Sequence, residues 1–318
     1  MTTSTSKLSV IGAGSVGTAL AYAAMIRGSA KIVALQDVNE SKVEAEVLDL
    51  AHGTQFMQSS SIIGGASQDV TADSDVVVIT AGAKQKPGQT RLDLAAKNVS
   101  ILESMLPGLV ERSPNAVFML VTNPVDVLTY VATKIAGLPD GRVFGSGTVL
   151  DSSRLRWLLG KRLGVSARSV HSMIIGEHGD SEFAMWSTAT VGQLPLREAC
   201  TQDGNCFSAE QLDQIEHDVI NAAYKVIEGK GATNYAIGVS GARIVEAVLG
   251  DQKAVLPVSS IHHGIEGASD VAISVPSIVG RGGVERALPL LLDEREQARL
   301  DSSVTALRDT IKLVGYAE

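Results

Sequence analysis

Lys7-Leu8-Ser9-Val10-Ile11-Gly12-Ala13-Gly14-Ser15-Val16-Gly17 decides how the rest of the chain is read. A short apolar run stops at a glycine turn, and a helical stretch follows to about Gly28. Strand, turn and helix in that order are the context in which G-x-G-x-x-G carries meaning. Gly12 makes the tight turn, Gly14 lets the backbone approach a pyrophosphate, and Gly17 lets the helix pack on the strand. Residues 31–35 read as the second strand and run into Gln36-Asp37, with Asp37 twenty residues beyond Gly17. A carboxylate there would accept hydrogen bonds from both ribose hydroxyls and repel a 2′-phosphate, which favours NAD over NADP.

Working outward, residues 41–52 carry Val43, Val47 and Leu50 at helical spacing and read as the second helix. Residues 75–80 are an apolar run bounded by turn signals, as a buried parallel strand requires. They end in Ala81-Gly82-Ala83, small enough for a flat cofactor to lie against the backbone. Residues 116–121 read as another buried strand and lead into Thr122-Asn123-Pro124-Val125-Asp126. Asn123 thus falls at the carboxyl end of a strand, where open α/β sheets bind ligands, and Pro124 starts the next helix. Between these strands, Lys84-Gln85-Lys86-Pro87-Gly88-Gln89-Thr90-Arg91 is a polar segment ahead of a long helix beginning near Leu92, and reads as a mobile flap. Arg112, before Ser-Pro, reads as a solvated helix cap. Tyr130 and Lys134 have the spacing of short-chain dehydrogenase pairs, but the glycine motif is of a different variety and the pair lies within an amphipathic helix. Gly145-Ser146-Gly147 is the natural boundary. The expected architecture is a Rossmann-type doubly wound parallel sheet over 1–146, the dinucleotide-binding domain, followed by a mixed α/β catalytic domain over 147–318.

The second half opens with Leu150-Asp151-Ser152-Ser153-Arg154-Leu155-Arg156. On a helix Asp151 and Arg154 share a face, while Arg156 points elsewhere. Residues 169–175 read as a strand leading into Gly176-Glu177-His178-Gly179-Asp180-Ser181. A strand ending at Gly-x-His-Gly presents an imidazole at a loop mouth, and histidine gives and takes a proton near neutral pH. Alone, such a turn is ordinary surface; here the rest of the chain supplies the other parts of a hydride-transfer site. His171 is seven residues from His178 and so tends to the opposite face. Residues 208–228 read as one amphipathic helix opened by a Ser208-x-x-Gln211 capping box; residues 230–235 make a turn before another helix. Leu300, Val304, Leu307, Ile311 and Val314 mark a C-terminal amphipathic helix.

Composition narrows the class. The 318 residues suffice for about two domains, with 45% hydrophobic and 19% charged residues and 31 glycines. A net charge of −8 argues against nucleic acid as a partner and leaves anionic ligands to local arginines and helix N-termini. Cys200 and Cys206 form no Cys-x-x-Cys pair, so neither a metal site nor a disulfide is expected and a reducing compartment fits. Residues 1–7 lack the apolar core of a signal peptide, and no run reaches the ~18 apolar residues of a membrane span. The expectation is a cytoplasmic protein with no membrane partner.

Five blocks then occur in order: the 12–17 turn, Gln85-Lys86-Pro87-Gly88-x-Thr90-Arg91-Leu92, Thr122-Asn123-Pro124-Val125-Asp126, Gly145-Ser146-Gly147-Thr148-x-Leu150-Asp151-Ser152-x-Arg154, and Ile175-Gly176-Glu177-His178-Gly179-Asp180-Ser181. Together they resemble the L-lactate/L-malate dehydrogenase family, most of all its bacterial lactate dehydrogenases. The resemblance implies that His178 gives its proton to the pyruvate carbonyl and takes it back when L-lactate is oxidised, with Asp151 on its other ring nitrogen. It implies Arg154 as the bidentate holder of the substrate carboxylate, and Arg91 as the flap residue that polarises the carbonyl. Asn123 would bond the same oxygen and Thr233 would line the substrate pocket. On the NAD side it adds Val16, Asp37, Gly82, Ala83 and the segment from Val121 to Asn123, with weaker contacts at Ser104 and Ser146.

At Gln85, relatives that take malate carry an arginine. A neutral glutamine would leave the second carboxylate of oxaloacetate unpaired, at a cost on the order of several kcal/mol, and accommodate a methyl group instead. Arg156 and His171 stand where allosteric bacterial relatives bind fructose 1,6-bisphosphate at a subunit interface, and the resemblance also implies a homotetramer. Ser153 and Lys84 depart from the usual pattern, and Lys84 bears on flap dynamics. Two rivals stand against this reading: a malate or branched 2-oxo acid dehydrogenase on the same scaffold, and a non-catalytic NAD-binding protein. The intact set of Arg91, Asp151, Arg154 and His178 argues against the second.

Overall fold

The computed structural model describes residues 5–58, 60–83, 91–201, 203–265 and 267–316; the side chain of Arg91 lies outside that description. The first half alternates strands and helices: β1 (Lys7–Ile11), α1 (Ser15–Arg27), β2 (Ile32–Gln36), α2 (Glu40–His52), β3 (Ser61–Gly65), β4 (Val76–Ile79), α3 (Arg91–Arg112), β5 (Val117–Leu120), α4 (Val125–Ala136) and β6 (Val143–Gly145). The second half has α5 (Val149–Leu163), the short strands β7 (Val170–His171), β8 (Ile174–Ile175), β9 (Phe183–Ala184), β10 (Thr190–Val191) and β11 (Leu194–Pro195), then α6 (Ala209–Ile220), α7 (Ala222–Lys230) and α8 (Tyr235–Leu249). It closes with β12 (Ala254–Ile261), β13 (Ala272–Gly280), β14 (Gly283–Ala287) and α9 (Glu294–Leu313).

One sheet runs through both halves in the order β14-β13-β12-β6-β5-β4-β1-β2-β3. The six strands β3-β2-β1-β4-β5-β6 are parallel, the doubly wound order, and the direction of winding reverses between β1 and β4. β4 and β5 are buried along their whole length, as their unbroken apolar runs require when helices cover both faces. β12 extends the sheet antiparallel to β6 through the pairing of Ser259 with Gly145. One core layer, with Leu8, Val10, Leu20 and Val33, lies under α1 and α8; the opposite layer, with Phe118, Leu102, Leu106 and Leu128, lies under α3 and α4.

The sequence reading needs three corrections. Residues 169–175 are not one strand: β7 and β8 belong to different sheets. Side chains of α5 divert the backbone between them, since Arg156 Nε donates to the Ser172 carbonyl at 2.9 Å and Ser152 Oγ accepts from Ile174 N–H at 2.9 Å. The helix expected over 208–228 breaks at Asn221, whose ψ of 0° and side-chain bond to the His217 carbonyl end α6. Its Ser208/Gln211 capping box is present. The third correction concerns Cys200 and Cys206, which are joined in a disulfide. Thr201 N–H donates to the Asn205 carbonyl at 3.0 Å, and the two cysteines pair antiparallel with their Cα atoms 4.0 Å apart, a closeness that sequence spacing does not report.

Candidate active site

At the switch point, Gly12 turns with φ +101°, and a Cβ there would stand 2.9 Å from Ala81 N. Gly17 has no room either: its Cβ would fall 1.9 Å from the Gly12 carbonyl oxygen, so glycine is what lets α1 seat on the sheet. Gly14 differs, with nothing within 4 Å of its would-be Cβ and no side chain capping α1, so the first-turn N–H groups face open space. An uncapped helix N-terminus behind a bare glycine fits a pyrophosphate. Asp37, just past the end of β2, accepts from Ala13 N–H at 2.7 Å and from Asn39 N–H at 2.9 Å. It therefore ties the glycine turn to β2 while placing negative charge beside it. Val16 sits half-buried in the first turn of α1.

Gly82, Ala83, Val121 and Asn123 follow the carboxyl ends of β4 and β5. Asn98 of α3, which the sequence reading missed, connects them: its Oδ1 accepts from Ala83 N–H at 2.7 Å and its Nδ2 donates to the Asn123 carbonyl at 2.8 Å. A polar residue 2% exposed inside a helix, joining two ligand-side loops, has no local sequence signature. Asn123 is exposed and precedes Pro124 through a cis peptide; Pro124 caps α4 rather than opening it. Ser146 is buried behind β6, and Ser104 is exposed on α3 with its hydroxyl turned to the Ile101 carbonyl. Thr233 is half-buried between α7 and α8. Gln85, Lys84 and the side chain of Arg91 lie outside the described residues.

The loop after β8 begins at Gly176, held at φ +98° and bonded to β13 through reciprocal backbone bonds with Ser274. Asp126, in the first turn of α4, accepts from His178 N–H at 2.7 Å. Ser303 of α9 donates to the Ser181 carbonyl at 2.7 Å. Three elements far apart in sequence thus fix the loop, and His178 keeps 26% of its side chain exposed at the mouth. Its Nδ1 is buried 2.8 Å from Asp151 Oδ2, a close charge contact that is not a linear hydrogen bond. The other Asp151 oxygen accepts from Arg154 at 2.5 Å, across one turn of α5. A single carboxylate, 1% exposed, therefore holds an imidazole and a guanidinium together.

Burial works against the Asp151 charge, but His178 and then Arg154 outweigh it and hold this carboxyl below its ordinary range. Burial likewise opposes the imidazolium; Asp151 and, behind it, Glu182 reverse that and lift His178 well above the usual histidine value. Burial raises Asp126 to about 6. Glu182, one residue beyond the motif the sequence analysis singled out, approaches the same Nδ1 at 3.5 Å. Nothing in its spacing announced this. Arg156 does not join Arg154 on Asp151 but donates to the carbonyl of Ser172, the residue after exposed His171.

A phosphate-ready turn in the same fold as a histidine favoured in its protonated form and a guanidinium fits a dinucleotide-dependent dehydrogenase whose side chains handle the proton. Family models for the lactate/malate dehydrogenase NAD binding domain and the alpha/beta C-terminal domain match residues 6–145 and 148–316. The chain belongs to that family; it is an oxidoreductase, and its cofactor is NAD. It is 49% identical over 311 residues to the L-lactate dehydrogenase of Bifidobacterium animalis subsp. lactis (strain AD011), covering 98% of this chain and 97% of the relative. Among solved structures, MGS-M5, a lactate dehydrogenase from a deep-sea metagenome library of the Medee basin, superposes with TM-score 0.94 at 38% identity over 98% of this chain and 99% of that one. The minor L-lactate dehydrogenase from Enterococcus mundtii, in its ligands-bound form, gives 0.93 at 40% identity over 97% and 98%. Among the described residues, no helix is long and apolar enough to cross a membrane.

Proposed function

We propose that this enzyme interconverts pyruvate and L-lactate, with the residue roles that the family resemblance implied and a division of labour at 146/147. The observation that carries the reading is the double grip of Asp151 on His178 and Arg154. It sets a cation suited to a substrate carboxylate beside a proton donor, the spacing that a 2-oxo acid presents.

When bound, NADH supplies the hydride. The chain supplies the rest. Arg154 holds the substrate carboxylate in a fork that a lysine would not reproduce. His178 holds a proton on the ring, with Nδ1 against Asp151, and donates from the exposed side of the imidazole to the carbonyl oxygen. Asn123 and Arg91 bond that oxygen as it gains negative charge, and Arg91 arrives with the flap. In the reverse direction neutral His178 accepts the proton of L-lactate. Gln85 selects a methyl group over a second carboxylate, and Thr233 lines the pocket. Gly12, Gly14, Val16, Gly17, Asp37, Gly82, Ala83, Ser104, Val121, Asn123 and Ser146 hold the dinucleotide.

Fructose 1,6-bisphosphate is the proposed effector, bound between subunits by Arg156 and His171. The bond from Arg156 to the Ser172 carbonyl, one residue along from His171, is consistent with both contributing to one phosphate site. A homotetramer is the assembly that the family resemblance implies. It is supported by a cleft of about 830 Å³ lined by α1, α2 and α8, where Tyr22, Ile26, Tyr235 and Val239 stay exposed. The cytoplasm is the proposed compartment, since the substrate and NADH are both met there; the Cys200–Cys206 disulfide is no support for it.

The test is steady-state NADH oxidation with pyruvate and with oxaloacetate, each with and without fructose 1,6-bisphosphate. Strong preference for pyruvate, sharpened by the effector, is expected. Equal or better use of oxaloacetate would overturn Gln85 as selector. An effector that changes neither the half-saturation for pyruvate nor the oligomer distribution would remove the Arg156/His171 site. No turnover with either acid would favour the non-catalytic rival.

A further inference from the structure

His178 faces two carboxylates, and the reaction described above uses only one. Glu182 is 2% exposed, and its Oε2 lies 3.5 Å from the Nδ1 that Asp151 also approaches. That Oε2 is cut off from solvent and has no hydrogen-bond partner. The donor atoms of Asp151, His178 and Glu182 all fall within 4.8 Å of one another. A buried carboxylate oxygen without a partner is costly unless it shares charge or a proton with a neighbour, and His178 is the basic group beside it.

We propose that Glu182 is a positioning residue that sets the proton affinity of His178, so that its ionisation keeps the ring protonated in the alkaline range. The inference rests on the reading of His178 as the group that exchanges the proton with substrate. Two carboxylates this close cannot both be charged cheaply, so Glu182 keeps its proton in the acid range and gives it up before the imidazolium does, while Asp151 stays committed to Arg154. Burial, followed by the Asp151 charge, pushes Glu182 up to about 7, so it ionises near neutrality. Once ionised, it adds a second negative charge beside Nδ1, which favours the imidazolium. The 2-oxo acid-reducing form is thereby extended to higher pH, and the neutral imidazole that oxidation needs is delayed.

Other charges around the ring do not duplicate this role. On α5, Arg154 is held by Asp151. On α4, Asp126 accepts from the His178 backbone N–H and its charge also acts on the imidazolium, but burial lets it ionise earlier, at about 6. Glu177, on the same loop, accepts from Ser181. Arg299 of α9 pairs with Glu216 of α6 and donates to the Glu182 carbonyl, anchoring the backbone while leaving the carboxyl group to His178.

Glu182→Gln keeps the shape and removes the ionisation. Profiles of kcat/KM against pH should shift for both directions: the alkaline limb of pyruvate reduction and the acid limb of lactate oxidation should each move down by about one unit. Glu182→Asp, which retains a carboxylate, should recover part of the shift. An unchanged limb in an active Glu182→Gln enzyme, even with reduced kcat, would overturn the proposal, because a purely structural role lowers rate without moving the profile. The unsubstituted apo enzyme gives an independent reading. The NMR titration of His178, assigned by its loss in His178→Asn, should show below its own an inflection from Glu182 that disappears in Glu182→Gln; a titration curve that Glu182→Gln leaves unchanged would overturn the proposal. Absence of turnover with both substrates in the unsubstituted enzyme would instead overturn the functional reading beneath it.

Discussion

The two halves of the site are built by opposite means. Around Gly12, Gly14 and Gly17 the chain works with backbone and empty space: one short segment makes the turn, and the α1 N–H groups are presented because no side chain caps them. Around His178 it works with buried charge gathered from afar: Asp126 on α4, Asp151 and Arg154 on α5, Glu182 past the loop, and Ser303 on α9 holding that loop. The first kind of site fails when volume is added. The second fails when a proton or a charge is changed, because each group is costly when its partner is missing.

The largest effect that would break this contrast comes from His178→Asn. Loss of the proton donor should lower kcat for pyruvate reduction by about 10²- to 10⁴-fold. NADH affinity, measured by fluorescence titration, should hardly change, since the glycine turn is untouched; parallel loss of NADH binding would show that the two regions are not separate. Asp126→Asn is next in size, and its effect depends on pH. The folded protein keeps the Asp126 proton up to about 6, whereas the unfolded chain releases it near the usual carboxyl value of 3.8. The native state therefore binds this proton more tightly, and stability drains away as pH rises from about 4 through 6, on the order of 3 kcal/mol in all. Urea midpoints at pH 4 and pH 7.5 should show Asp126→Asn gaining on the unsubstituted protein at the higher pH, and a constant gap would contradict the burial argument. The smallest effect sharpens the contrast within the turn. Gly17→Ala drives a methyl group into the Gly12 carbonyl and should cost about 1–3 kcal/mol in thermal stability. Gly14→Ala should leave the melting temperature alone and weaken NADH binding, about tenfold for a lost ~1.4 kcal/mol.

Legibility followed the same division. The glycine turn could be read because its parts are neighbours: strand end, three glycines, helix and an acidic residue at the next strand end. Asp151 and Arg154 could be read as partners because helical pitch brings positions three apart together, and α5 does so. Asn98, Asp126 and Glu182 could not be read, since each matters only through a backbone or ring supplied by another element. The split of 169–175 into β7 and β8 was hidden for the same reason, because Arg156 and Ser152 take up the backbone groups that a single ladder would have used. The Cys200–Cys206 pair shows the converse, a local turn whose closure the spacing did not reveal.

Residue order alone was enough for the doubly wound sheet, the glycine turn at its switch point, the face shared by Asp151 and Arg154, and the histidine at the loop mouth. These rest on periodicity and short-range sterics, which a string of residues carries in full. The number of carboxylates around His178, which of them touches the ring, and how the loop is fixed among α4, α9 and β13 came from the folded arrangement. Proton affinity in a buried cluster is set by distances of a few ångströms between groups on different elements, such as Asp151 on α5 and His178 in the loop after β8.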